Sequence, residues 1–133
     1  TAASKCSMPF SDAFIKGILC NFLVCIAVWI SFAAKEVVSK IIGLFFPIMM
    51  FVLCGFEHSI ANMYYISSGL FAKTNATYVQ AATDAGVDLT NLTWGNFFGK
   101  NLLPVTLGNI VGGAICVGCA YWFIYLRKAK KAA

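Results

Sequence analysis

One charged pair divides the most apolar part of this 133-residue chain. Sixteen uncharged residues (41–56) precede Glu57-His58 and fourteen (59–72) follow, so 32 residues separate Lys40 from Lys73. A continuous helix of that length would run roughly 48 Å, against a hydrocarbon core of about 30 Å. Two complete crossings would need about 40 residues and a turn besides. The arithmetic leaves one span, interrupted near its middle, with non-helical backbone at membrane depth. Such backbone is tolerated only where protein buries it or where it lines a wet cavity. An ionisable group at that depth points to function. The stretch Gly55-Phe56-Glu57-His58-Ser59-Ile60-Ala61-Asn62, which holds the only histidine, therefore predicts a pore.

Composition agrees with a membrane setting: 60% of residues are hydrophobic and 11% charged, and the mean hydropathy is +0.80. The length allows three spans and little else. We expect an all-α membrane protein, a single domain over residues 1–133, with spans at about 9–34, 41–72 (broken near 55–60) and 94–127. Thr1-Ala2-Ala3-Ser4 reads like the interior of a loop, and no short apolar stretch with a cleavage site precedes the first span. A three-span unit is then expected to be half of something larger. The net charge of +5 comes largely from Arg127-Lys128-Ala129-Lys130-Lys131. That cluster suits a cytoplasmic membrane face; a nucleic-acid site would want a broader basic surface.

Five of the six cysteines (Cys20, Cys25, Cys54, Cys116, Cys119) fall inside apolar segments, and Cys6 lies outside them. Cysteine so placed acts as a small hydrophobe. Cys116-Val117-Gly118-Cys119 has redox spacing but lacks the surrounding βαβ pattern and an electropositive helix start.

Along the chain, Pro9 stands where a first helix can begin, and residues 17–34 form an eighteen-residue uncharged run. Asn21 inside it needs a partner, either another helix or a substrate. Residues 35–40 read as a short charged turn. Gly43 and Pro47 fall in the first half of the broken span, where Pro47 can kink it. Phe51, two helical turns before the histidine, is a candidate lining residue. Residues 73–100 are the one long polar region. Its two sequons, at Asn75 and Asn91, are read as chance, and Thr93 as a helix cap before Trp94. Residues 101–126 give 26 uncharged positions, enough for a tilted span. Pro104 can kink it, and Gly108, Gly112, Gly113 and Gly118 offer close-packing faces. Trp29, with Tyr121, Trp122 and Tyr125, fits an interfacial aromatic belt.

Loop charge orients the chain. The basic tail predicts a cytoplasmic carboxyl terminus. Three crossings then put residues 35–40 inside as well, and residue 1 and the long polar loop outside. The two inner segments hold six of the ten basic residues. Fusing two such units in one polypeptide inverts the second, which is the logic of inverted-repeat channels with paired broken helices.

Three motifs carry a family resemblance: Gly55-Phe56-Glu57-His58-Ser59-Ile60-Ala61-Asn62-Met63, the run Asn101-Leu102-Leu103-Pro104-Val105-Thr106-Leu107-Gly108-Asn109-Ile110-Val111-Gly112-Gly113, and Gly17-Ile18-Leu19-Cys20-Asn21 through Cys25-Ile26-Ala27-Val28-Trp29. Together they resemble the formate/nitrite transporter family over nearly the whole chain, as the carboxyl-terminal half of its six-span protomer. The resemblance implies an aquaporin-like fold in a homopentamer of the bacterial cytoplasmic membrane. One pore per protomer would pass small monovalent anions of weak acids: formate, nitrite or hydrosulfide. It implies His58 as the central pore histidine, Glu57 as its neighbour, and Lys5 as a basic residue near the site on its outer side. It further implies Asn21 and Asn109 as pore-facing amides, and Phe51 and Val24 in the hydrophobic slits. The partners implied are the anion, the bilayer and the amino-terminal half of the protomer; neither cofactor nor metal is implied.

Two other classes fit the sequence less well. An aquaporin-like neutral-solute channel also uses half-helices, but Ala61-Asn62-Met63 stands where Asn-Pro-Ala would be expected. A membrane enzyme would need more than one histidine, without an HxxxH pattern or a carboxylate cluster, can supply.

Overall fold

A computed structural model describes residues 1–127; Lys128, Lys130 and Lys131 of the basic tail, on which the orientation rests, lie outside the described residues. The described chain is helical and contains no strand. In order, α1 is Ala2–Cys6, α2 Phe10–Ala33, α3 Val37–Leu53, α4 Ser59–Ala72 and α5 Ala76–Asp84. The last helix, α6, runs Trp94–Leu126.

Pro9 lies just outside α2 with φ −59° and ψ 149°. Its fixed φ and missing N–H cost nothing at a helix entrance, and Asp12 in the first turn complements the positive end of the helix dipole. The 24 residues of α2 reach about 36 Å. The chain turns back at once, and α3 begins at Val37 within the expected charged turn, so Lys40 is helical. Extended backbone at Glu36 lets the helix start there, which shortens the turn by half. Pro47 lies inside α3. A Cβ on Gly43 would come within 2.7 Å of Ile30 Cγ2, so α3 packs tightly on α2.

Long helix α6 carries three wide turns with i→i+5 hydrogen bonding, Phe97–Leu102, Val111–Cys119 and Trp122–Leu126, around the α-helical stretch Leu103–Ile110. The first ends just before Pro104, which has no N–H to give to the ladder; local widening there is a known accommodation. Thr93 accepts from the Asn96 N–H at 3.2 Å and caps the helix.

Glycine brings α2 and α6 together. A Cβ on Gly17 would stand 2.8 Å from the Val105 carbonyl oxygen, and one on Gly108 or Gly112 would collide with the carbonyls of Phe14 or Ile18. Gly113 abuts Asn21 and Cys25. Gly118 differs from expectation, since its nearest neighbour is its own helix's Gly113 carbonyl, 3.5 Å away. It faces away from α2.

At one end, Cys6, Ile66, Leu70, Leu92 and Phe97 form a buried cluster that ties α1, α4, the long loop and α6 together. Cys6 was expected outside the apolar segments; the fold nevertheless buries it completely. Cys20 is also fully buried, whereas Cys54, Cys116 and Cys119 are exposed, and all six thiols are free. Trp29 stacks on Tyr121 with centroids 3.9 Å apart, beside Tyr125. No residue of α3 is buried, and the exterior carries bulky apolar side chains throughout. That extent of apolar surface needs lipid or further protein around it.

Candidate functional site

The site is built on the interruption between α3 and α4. Gly55 has φ +64°, a left-handed conformation open to glycine without a Cβ penalty. Around it the Phe56 N–H donates to the Phe51 carbonyl at 3.0 Å and the Gly55 N–H to the Val52 carbonyl at 3.1 Å. This pair of bonds is a Schellman stop. Helix resumes at Ser59, which was expected within the break and instead opens α4. The reason is His58: its extended backbone (φ −110°, ψ 118°) and its Nδ1, which accepts from the Ala61 N–H at 3.3 Å, make it the N-cap. With Nδ1 as acceptor, the neutral ring carries its proton on Nε2.

Distant side chains hold the interruption in place. The Glu57 N–H donates to the Lys16 carbonyl at 3.3 Å. Asn109 Nδ2 donates to the carbonyls of Glu57 (3.0 Å) and Gly17 (2.8 Å). Its Oδ1 accepts from the Ser59 N–H at 3.0 Å. One amide on α6 thus satisfies both sides of the break and a carbonyl of α2. Asn21 Nδ2 in turn donates to the Asn109 carbonyl at 2.7 Å, an interhelical bond.

The Glu57 carboxylate is buried, at 2% residue exposure, and fully engaged. Lys5 Nζ donates to Oε1 at 2.7 Å. Asn62 Nδ2 donates to Oε2 at 2.5 Å and Asn101 Nδ2 to the same oxygen at 3.4 Å. Asn62 also donates to Asn101 Oδ1 at 2.8 Å, and Asn101 to the Lys5 carbonyl at 3.0 Å. A buried charge is tolerable only when paired and hydrogen-bonded, and both conditions hold.

Beside this network lies a cavity of about 390 Å³, whose walls include Lys5, Phe51, His58, Asn62 and Tyr65. Phe51 faces the imidazole with ring centroids 6.0 Å apart. Lys5, Phe51 and His58 are therefore brought together, with Glu57 joined through Lys5. Asn21, Asn109 and Val24 are not among the lining residues. Asn109 is a buried strut instead of a lining amide, because both ends of its side chain are committed to backbone. Val24 lies one turn beyond Asn21 on α2, half-buried.

Asn62, Asn101 and Tyr65 were missed as site residues. The signal for the asparagines was an amide inside an uncharged run, which is costly without a partner. Asn101 and Asn109 also lie eight positions apart, two turns along one helix face. Among the described residues no cluster of three or more metal-ligating side chains occurs.

Known proteins supply the context. Residues 1–123 match the family model described as formate/nitrite transporter. The probable formate transporter of Methanothermobacter thermautotrophicus is 45% identical over 122 residues, covering 92% of this chain and 38% of that protein. Formate channel FocA of Escherichia coli K12 is 43% identical over 130 residues, covering 96% of this chain and 46% of that protein. The chain thus spans less than half the length of these relatives. Among solved structures, a pentameric formate channel with formate bound superposes with a TM-score of 0.81 at 43% identity, over 94% of this chain and 50% of the other. An FNT family ion channel gives 0.72 at 31% identity, over 92% and 43%. With a family model spanning nearly its whole length and helices that superpose on solved members, this chain belongs to the formate/nitrite transporter family.

Proposed function

We propose that the chain is the carboxyl-terminal, three-span half of an aquaporin-like channel protomer. The spans are α2, the broken pair α3–α4, and α6, and the protomers assemble as a homopentamer in the bacterial cytoplasmic membrane. The carboxyl terminus is cytoplasmic, and the amino-terminal half of the protomer closes the pore against the cavity. The channel passes small monovalent anions of weak acids, formate foremost, with nitrite and hydrosulfide as the alternatives. The observation that carries this reading is the placement of His58, at a helix break in an otherwise apolar segment, on one cavity with Lys5, whose ammonium is paired with the buried Glu57. Formate leads because the relatives at 43–45% identity are named for it.

A dry constriction costs an anion most of its hydration. Lys5, whose side chain is 15% exposed, carries a positive charge at the cavity wall. His58 presents Nε2–H, because Nδ1 is occupied as the α4 cap. Phe51 supplies an apolar wall beside the ring that keeps water from replacing the anion; Val24, on α2 and away from this cavity, is proposed for a separate hydrophobic slit. The anion is drawn by Lys5, meets Nε2–H beside Phe51, and accepts a hydrogen bond or a proton there. Asn21 and Asn109 act by holding α2, α6 and the break in register. Proteoliposomes holding the assembled channel decide between classes: rapid flux of formate, nitrite or hydrosulfide supports the reading. Glycerol-driven swelling without anion flux would place the chain with neutral-solute channels.

A further inference from the structure

Asn101 has no part in the mechanism above, yet it is fully buried and its side chain bonds to three other parts of the chain. Nδ2 donates to the Lys5 carbonyl on α1 at 3.0 Å and to Glu57 Oε2 at 3.4 Å, and Oδ1 accepts from Asn62 on α4 at 2.8 Å. Its orientation is determined, since flipping the amide would set its oxygen against two acceptors. The residue also sits in the first wide turn of α6, Phe97–Leu102. Such turns recur where a helix must aim a side chain at a functional site.

Lys5 has two anchors. Its ammonium meets Glu57, and its backbone meets Asn101. The lysine belongs to a five-residue helix too short to hold position by itself. We infer that Asn101 is a positioning residue: by gripping Lys5 through its backbone and Glu57 through its carboxylate, it fixes where the cavity's positive charge stands, and so sets the affinity for the entering anion. This rests on the channel reading above. Asn101 touches no substrate and acts through Lys5. A second anion-binding role for Asn101 itself is excluded by its geometry, because both N–H groups and the oxygen are already committed.

The test exchanges the amide for a carboxyl. Asn101→Asp conserves shape but sets a second carboxylate against Glu57 in place of a donor. The ionisable group facing this point from another element is Lys5 on α1; His58 follows Glu57 in the break and shares the cavity with Lys5, and it is common to both channels compared. Each charge makes the other costlier, so both carboxyls are ionised only at the high end of the pH range; one takes a proton as pH falls and a donor is restored. Formate flux in proteoliposomes is compared with that of the unaltered channel across about pH 5 to 8. We expect Asn101→Asp to require about tenfold more formate for half-saturation near pH 8 and to approach the unaltered channel near pH 5, tenfold being one pK unit of interaction. Asn101→Ser keeps one donor without charge. It should raise half-saturation about threefold at every pH with unchanged maximal flux, the size of one neutral hydrogen bond weakened.

An assembled Asn101→Asp with the parent's pH profile, or an assembled Asn101→Ser with the parent's half-saturation, overturns the inference. So does failure of both variants to assemble, which would make Asn101 a folding residue. The unaltered channel is the control for the underlying reading: if it passes no formate, nitrite or hydrosulfide, the channel proposal fails, and not the placement of Asn101.

Discussion

Two of the segments that join the long helices are stabilised in opposite ways. In residues 73–93, which hold the short helix α5, polar side chains satisfy backbone close by. Asn75 accepts from the Thr77 N–H at 2.9 Å, Asp88 from the Thr90 N–H at 2.8 Å, and Thr93 caps three residues on. In the break of residues 54–58, the glycine stop is local but the rest is distant. Glu57 meets Lys5 and Asn109, each 52 residues away, and the Ser59 N–H at the edge of the break meets Asn109 50 residues away. The difference follows from solvent. A loop in water can leave imperfect groups to water, so short Asx and Ser/Thr turns suffice. On the three-span proposal the break lies at membrane depth, where backbone has no such reserve, and its partners must come from whichever helices pass nearby. The loop has one far-reaching tie, Lys73, whose ammonium donates to the carbonyls of Leu89 and Leu92. It anchors the segment that brings Leu92 into the core.

Breaking a distant strut should therefore cost more than breaking a local cap. The largest effect is expected at Asn109→Leu, which keeps the volume but orphans the Ser59 N–H and the Glu57 carbonyl. At about 1–3 kcal/mol for each buried orphan, the variant should yield no assembled oligomer by size exclusion in detergent. A normal yield would show that water reaches the break and that the contrast with the loop is false.

Next comes Glu57→Gln, which leaves Lys5 without its counter-charge; removing one partner of a buried pair costs about 3–5 kcal/mol. Since Lys5 keeps some exposure, we expect the low end of that range. Assembly and thermal stability should fall while anion preference among survivors is unchanged. Normal assembly with altered preference would mean that Glu57 contacts the anion.

His58→Asn sharpens the comparison from inside the break. Asparagine also caps helices, so the Ala61 N–H keeps a partner and stability should shift by no more than about 1 kcal/mol. The ring's ability to protonate is lost, so the dependence of flux on pH over about 5 to 8 should change. Superimposable profiles would reduce His58 to a cap.

The smallest effects belong to the loop. Asn75→Ala should cost about 1 kcal/mol or less and leave flux untouched. Asp88 adds a pH signature. Donation from the Thr90 hydroxyl and amide holds its carboxyl below the ordinary carboxylate range. A lowered value in the folded loop means the stabilisation is complete at neutral pH and is lost only as pH falls through that lowered value. The chemical shift of the Thr90 amide, which donates to Asp88, should titrate at that point in the parent, and Asp88→Asn should remove the step. A step near neutrality would contradict the assignment.

Much of this was legible in order along the chain. The uncharged runs marked α2 and α6, and the pair Glu57-His58 marked the break, because run length against bilayer thickness and the position of a charge are local properties. Gly108, Gly112 and Gly113 announced a close helix contact for a similar reason: absence of a side chain is visible without knowing the partner. What only the tertiary structure decided was which groups meet. Cys6 looked peripheral and is buried; Asn109 looked like a lining amide and is a strut; Asn101 and Asn62 drew no attention and complete the carboxylate's shell. Hydrogen bonds across 39 to 96 residues leave no periodic trace, since any amide in an apolar run needs some partner and the sequence does not say which. Crossing geometry of α1, α4 and α6 makes that choice, and with it the position of the charge beside His58.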